Sequence, residues 1–155
     1  MTGAVAEGKK FEFTTQSGTD TIDVGRKLAA VLQPPQLLVL RGDLGTGKTT
    51  LVKGIAQALD AADADEVTSP TFTLIHEYEG VREGRPVKLY HLDVYRLEGE
   101  RQLESLGIED LLTDDAIVLV EWGEKFKSIR KRATGEISIA ATGGDGRTIT
   151  VMLKD

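Results

Sequence analysis

Apolar residues recur along this chain with two periods, and the switches between them predict the order of its elements. Lys10 to Thr14 sets Phe11 and Phe13 between polar neighbours, the alternation of a short half-buried strand. Ile22, Leu28, Ala29 and Leu32 then follow at helical spacing behind Ser17 or Thr19, either of which can cap the helix, and Pro34-Pro35 stops it. Leu37-Leu38-Val39-Leu40 is a continuous apolar run of strand length, after which Leu51, Ile55, Ala58 and Leu59 return to helical spacing. Phe72 to Tyr78 and Pro86 to Leu92 predict two antiparallel strands, joined by a polar turn around Gly80 to Arg85. Leu103 and Leu106 mark a short helix ended by Gly107, with another helical turn from Ile108 to Leu112. Ala116 to Val120 is apolar throughout and predicts a central strand buried on both faces. Glu136 to Ala141 and Thr148 to Leu153 flank Gly143-Gly144-Asp145-Gly146, a hairpin signature.

This order predicts an α/β fold, a three-layer domain with a mixed central sheet and its ligand at the carboxyl ends of the central strands. We find no repeat, low-complexity tract or linker, so residues 1–155 read as one domain, with 1–9 outside its ordered part.

Between the second strand and second helix stands Gly42-Asp43-Leu44-Gly45-Thr46-Gly47-Lys48-Thr49, a complete G-x-x-x-x-G-K-[ST] phosphate-loop motif in the strand-loop-helix context it requires. Gly42, Gly45 and Gly47 are expected to take positive φ angles and bring backbone N–H groups close to an anion. The helix beginning near Lys48 adds its positive end to the same place. Lys48 supplies a mobile charge for β- and γ-phosphates, and the Thr49 hydroxyl can ligate Mg²⁺. With Thr50 these nine residues form the candidate site for a nucleoside di- or triphosphate, and the three-layer domain reads as phosphate-loop NTPase-like.

Two acids extend that site. Asp93 and Glu121 each end a predicted buried strand, where a carboxylate can hold Mg²⁺ or orient an attacking water. Ser69, Pro70 and Thr71 lie where a phosphate-sensing switch would enter. His76 and His91 lack metal-ligand spacing and read as hydrogen-bonding or surface residues. Trp122 is open between core packing, a role in the site and a partner contact.

Composition narrows the setting. With no cysteine, disulfide and thiolate chemistry are excluded. Residues 1–8 carry no apolar signal-peptide core and no later run is long enough to span a membrane, so a cytoplasmic protein is expected. A net charge of −6 argues against a surface that binds nucleic acid as a whole. Lys125, Lys127, Arg130, Lys131 and Arg132 nonetheless cluster, as do Asp60, Asp63, Asp65 and Glu66; each group reads as solvated surface or as a docking patch.

The string at 42 to 50, Ser-Pro-Thr-Phe-Thr-Leu at 69 to 74, His-Leu-Asp-Val-Tyr-Arg-Leu at 91 to 97, Leu-Gly-Ile-Glu-Asp at 106 to 110 and Val-Glu-Trp at 120 to 122 together resemble the bacterial TsaE (YjeE) ATPases. The resemblance runs from about residue 17 to 126. It implies binding and slow hydrolysis of ATP in a machinery that makes threonylcarbamoyladenosine beside the anticodon of tRNA, with a TsaD–TsaB pair as partner and tRNA reached through that complex. By position it assigns Lys48 and Thr49 to phosphate and Mg²⁺, Glu121 to the acid near Mg²⁺ and Asp93 to the acid needed for hydrolysis. Ser17 and Thr21 are similar to the stretch near the adenine, and Arg147 is a candidate nucleotide contact from the last hairpin. Some members carry proline after Glu-Trp; Gly123 stands there in this chain, which predicts a more flexible loop.

Other classes fit less well. Neither Asn-Lys-x-Asp nor Asp-x-x-Gly occurs, so the guanine and γ-phosphate motifs of a GTPase are missing. No arginine-rich lid of a small-molecule kinase stands between residues 50 and 120. A non-catalytic ATP-dependent partner switch stays as the alternative.

Overall fold

The computed structural model describes residues 8–43, 45–70 and 74–154, and the elements they form stack in three layers. In chain order these are β1 (Lys9–Thr15), α1 (Gly18–Val31), β2 (Gln36–Arg41), α2 (Lys48–Ala58), β3 (Ile75–Arg82), β4 (Arg85–Asp93), α3 (Glu100–Leu106), α4 (Ile108–Leu111), β5 (Ala116–Glu121), α5 (Lys127–Arg132), β6 (Gly135–Gly143) and β7 (Gly146–Leu153). One mixed sheet runs β1-β7-β6-β2-β5-β4-β3. Its centre, β6-β2-β5-β4, is parallel, and antiparallel β7 with β1 at one side and β3 at the other complete it.

The interiors of β2 and β5 are apolar throughout because both faces are covered, and their two-residue period divides them between two cores. Leu38 and Leu40 of β2 and Ile117 and Leu119 of β5 pack with Leu28 of α1 and Leu51 and Ile55 of α2. Leu37, Val39, Val118 and Val120 face the other way, against Leu103 of α3, Ile108 of α4 and Ile129 of α5. Ser17 caps α1: its Oγ accepts from the Asp20 amide at 3.1 Å, while the Asp20 carboxylate accepts from the Gln16 amide at 3.0 Å.

Two glycines let α1 and α2 cross with their backbones in contact. A Cβ on Gly25 would lie 2.3 Å from the Leu51 carbonyl oxygen, and one on Gly54 would lie 2.0 Å from that of Ile22. The helix that starts at the glycine-rich loop is thereby held against its neighbour at a fixed depth.

The structure corrects the pattern reading at the sheet edge. The turn lies at Glu83 and Gly84, both with positive φ, and Gly80 is inside β3. Gly80 is needed there because the end of α2 closes on the strand: a Cβ would meet the Leu59 carbonyl oxygen at 2.3 Å, and the Val81 amide donates to that oxygen at 2.7 Å. Phe72, where this strand was expected to begin, and Leu44 and Thr71 of the candidate site lie outside the described residues. The basic run also folds as α5, for which the apolar pattern held no signal.

Replacing Gly54 by Ala tests the helix crossing. The better helix propensity of Ala would add about 1 kcal/mol of stability, whereas overpacking typically costs about 1–3 kcal/mol and more where the obstacle is backbone. Gly54→Ala is expected to lower the melting temperature by several degrees, and Gly18→Ala, where a Cβ meets nothing within 4 Å, to leave it unchanged or raised. Equal melting temperatures for the two variants would show that the contact does not constrain the helices.

Candidate functional site

At the carboxyl end of β2 the chain turns through the glycine-rich loop and enters α2. Gly45 (φ 80°) and Gly47 (φ 107°) take the left-handed conformation expected of them. Gly42 does not, and its glycine serves space instead: a Cβ would lie 2.7 Å from Thr46 Oγ1 and 3.0 Å from the Ile139 carbonyl oxygen. The loop is braced from both sides. Thr46 Oγ1 donates to the Asp43 carbonyl at 2.8 Å, and Arg147 reaches in from β7, its Nε donating to the Thr46 carbonyl at 2.8 Å and its Nη2 to that of Gly45 at 3.4 Å. Its Nη1 holds Gly144 and Gly146 of the hairpin at 3.0 and 2.7 Å. The Arg147 guanidinium thus ties hairpin to loop through carbonyl oxygens.

Lys48, the first residue of α2, is buried. Its Nζ donates to the Gly42 carbonyl at 2.8 Å, lies 3.3 Å from Glu121 Oε1 and stands 5.3 Å from the centre of the Trp122 ring. The first-turn amides of α2 have no intrahelical acceptor and the helix end carries positive partial charge, so loop, helix and ammonium together favour an anion.

Both strand-end acids stand beside this group. The parallel register of β4 and β5 pairs Asp93 with Glu121 across the ladder, so the two side chains project from one face, the face of α2. Each is buried. Asp93 Oδ1 accepts from the Tyr95 amide at 2.9 Å, which fixes the turn out of β4. Glu121 uses its oxygens separately: Oε1 faces Lys48, and Oε2 accepts from His91 Nε2 at 2.5 Å. Burial pushes the Glu121 carboxyl up, but the His91 hydrogen bond and the Lys48 ammonium outweigh it and hold the group below the usual carboxylate range.

Trp122 follows directly with φ 67°, left-handed although it is not glycine. The indole packs against the Tyr95 ring, centroids 4.9 Å apart and planes inclined by 52°. Lys125 fastens the same corner, its Nζ donating to the carbonyls of Tyr95 at 2.6 Å and Leu97 at 3.1 Å. Gly123 is buried, and a Cβ there would stand 3.0 Å from Ile129 Cγ2 and 3.1 Å from Val120 Cγ1. Close packing, rather than the expected loosening, is what glycine provides here.

These parts surround a cleft of about 650 Å³ at the carboxyl ends of β2, β4 and β5. Gly45, Gly47, Lys48, Thr49 and Thr50 line one wall, and Ser69, Asp93, Tyr95, Glu121 and Trp122 the others. A larger hollow of about 960 Å³ lies at the opposite, amino ends of β4 and β5, between Arg82, Pro86 and Asp115, and none of the described site residues predicted from the sequence lines it. The remaining predicted residues that are described stand outside the cleft lining. Ser17 is occupied as the α1 cap, Asp43 is exposed on the loop, and Pro70 is buried. Thr21 is buried with its Oγ1 3.2 Å from Thr15 Oγ1, and its methyl lies 4.0 Å from where a Gly47 Cβ would be, so the first turn of α1 backs the loop. His76 contacts the Thr68 carbonyl and the Tyr78 hydroxyl near the surface, as expected.

Sequence reasoning passed over Tyr95 and left His91 open between a hydrogen-bonding and a surface residue; it is buried and hydrogen-bonded. Tyr95 carried no signal beyond its place two residues after Asp93. His91 did carry one: in the row Leu89, His91, Asp93 it is a polar residue at a core position, fully buried, which requires a buried partner.

The family model "Threonylcarbamoyl adenosine biosynthesis protein TsaE" matches residues 15–149. The chain is 38% identical over 143 residues to the tRNA threonylcarbamoyladenosine biosynthesis protein TsaE of Bacillus subtilis, covering 92% of this chain and 85% of that one. It is 35% identical over 137 residues to the protein of the same name from Treponema pallidum, covering 88% and 96%. A crystal structure of YdiB from Bacillus subtilis superposes with a TM-score of 0.68 at 30% identity, over 98% of this chain and 90% of that one. The chain belongs to the TsaE family of threonylcarbamoyl adenosine biosynthesis proteins.

Proposed function

We propose that the cleft binds ATP or ADP with Mg²⁺, and that the protein hydrolyses ATP slowly while acting in the cytoplasm with a TsaD–TsaB complex that modifies tRNA. The observation that carries this reading is the convergence of three sequence-distant parts on one cleft: Lys48 at the start of α2, Asp93 at the end of β4 and Glu121 at the end of β5. Lys48 sits on Glu121 and is the charge that a phosphate would take over.

The donor set suits a hard cation. Thr49 lines the cleft within the first turn of α2, and the buried carboxylates of Glu121 and Asp93 face the same space, oxygen ligands of the kind Mg²⁺ shares with nucleotide phosphates. Thr49 and Glu121 would hold the ion, which when bound neutralises phosphate charge. Asp93, which lines the same cleft, would orient the attacking water. Ser69 lines the cleft beside them, where a switch segment would sense the terminal phosphate.

Partner docking is proposed for the outer face of α5. Of its basic residues, Arg130 is spent on the Glu124 carbonyl at 2.5 Å and Arg132 on Glu109 at 2.6 Å. Lys127 and Lys131 are exposed, and Phe126 and Lys125 connect their helix to the Trp122 corner of the cleft. Among the described residues no helix is long and apolar enough to cross a membrane.

Lys48→Ala removes a charge-assisted phosphate contact worth roughly 1.5–3 kcal/mol, a tenfold to hundredfold loss of ADP affinity by roughly the same conversion. Calorimetric titration of a folded variant with the parent's affinity would refute the site. Glu121→Gln is expected to weaken binding only in the presence of Mg²⁺, while Asp93→Asn spares binding and suppresses ADP release in a turnover assay. Parent-like binding and turnover in both variants would make the acids structural. Finally, ATP hydrolysis should rise when the TsaD–TsaB pair is added, and Lys127→Glu with Lys131→Glu should lower capture of that pair without changing ADP affinity. Binding of the pair without any change in hydrolysis would favour a non-catalytic switch; absence of binding at any concentration would overturn the partnership.

A further inference from the structure

The row Leu89, His91, Asp93 of β4 faces α2, and the leucine at its start belongs to the core between sheet and helices. His91 pairs in register with Leu119 and has no exposed surface, so an apolar side chain would satisfy packing at this position. An imidazole there must be explained by what it bonds. Its Nε2 lies 2.5 Å from Glu121 Oε2, and its Nδ1 is buried with no hydrogen-bond partner among the described residues. The ring is therefore placed for the Glu121 contact at the expense of its other nitrogen, an arrangement that costs stability.

That contact determines which Glu121 oxygen is offered to the cleft. A carboxylate at the end of a strand can rotate about its terminal torsion, a broad two-fold well with little intrinsic preference. With Oε2 held from behind by His91, Oε1 is the oxygen turned toward Lys48 at 3.3 Å. We propose that His91 is a positioning residue that fixes the Glu121 carboxylate, so that one oxygen stays presented to Lys48 and the cleft. This rests on the reading of Glu121 as the acid beside Mg²⁺. A group that holds a ligating side chain from behind typically changes metal affinity about tenfold or more when it is removed.

Three substitutions separate orientation from packing. His91→Gln keeps an N–H at about the reach of Nε2, His91→Asn has one that is too short, and His91→Leu has none while filling a leucine-lined space. ADP affinity is measured with and without Mg²⁺ in each variant. The Mg²⁺-dependent gain should fall about tenfold in the Leu and Asn variants and be largely kept in His91→Gln. In a Glu121→Gln background His91→Leu should add no further loss, because the carboxylate to be oriented is gone. Parent-like Mg²⁺ dependence in folded His91→Leu and His91→Asn, or equal losses in the Gln and Asn variants, would overturn the proposal. Should His91→Leu not fold, the Gln and Asn variants decide. A nucleotide-free readout keeps the two readings apart: the His91 Nε2 proton should resonate far downfield in the nitrogen-proton NMR spectrum and move upfield in Glu121→Gln. If Glu121→Gln leaves Mg²⁺-dependent binding intact, Glu121 is not the acid near the ion; the proton shift then supports the orientation by His91, and its absence removes it.

Discussion

Lys48 against Glu121 is the interaction on which the rest of the site depends. A buried ion pair of this kind is weak evidence for stability, because desolvating both charges can cost as much as their attraction returns. Its value lies in being exchangeable. The ammonium is shared between Glu121 and the Gly42 carbonyl, both within the protein, so a phosphate bound as proposed would replace one anionic partner by another and leave no uncompensated charge on the lysine. The carboxylate released by that exchange stays supported by His91 from behind.

Geometry around the pair is set by contacts far from it in sequence. The Gly25–Gly54 crossing fixes where α2 lies over the sheet, and hence where Lys48 begins. Arg147, close to the end of the chain, holds the carbonyls of Gly45 and Thr46 from the hairpin side. Loosening either support would move the ammonium relative to a carboxylate that belongs to a different strand. A change in binding from a substitution at Gly54 or Arg147 would therefore have to be read together with stability, because both residues act on position and neither lines the cleft.

The local parts of this arrangement were legible in the sequence. The G-x-x-x-x-G-K-T string is short and its context is contiguous, and Leu37 to Leu40 and Ala116 to Val120 announce strands buried on both faces because no polar residue interrupts them. Asp93 and Glu121 could be seen as strand-end acids, but their pairing depends on the register between β4 and β5, which no local pattern encodes. Gly80 was misplaced for a related reason: its glycine answers to the end of α2, an element remote in sequence, and a rule that ties glycine to turns has no view of it. The α5 helix escaped notice because only Ile129 of its six residues is buried, leaving nothing for periodicity to detect.

Trp122 stands where the cleft meets the chain that leads into α5. A bulky residue at positive φ is held at a cost of about 1–3 kcal/mol and persists only where its surroundings over-determine it. Here the Tyr95 ring, the Lys48 ammonium and the buried Gly123 next to it supply that determination. Lys125 then ties the Tyr95 turn to the chain that leads into α5. Moving Lys48 from Glu121 to a phosphate would change one of the contacts that keeps Trp122 in place. The strain stored at this residue thus gives the cleft a physical route to the exposed basic face of α5, through side chains already in contact.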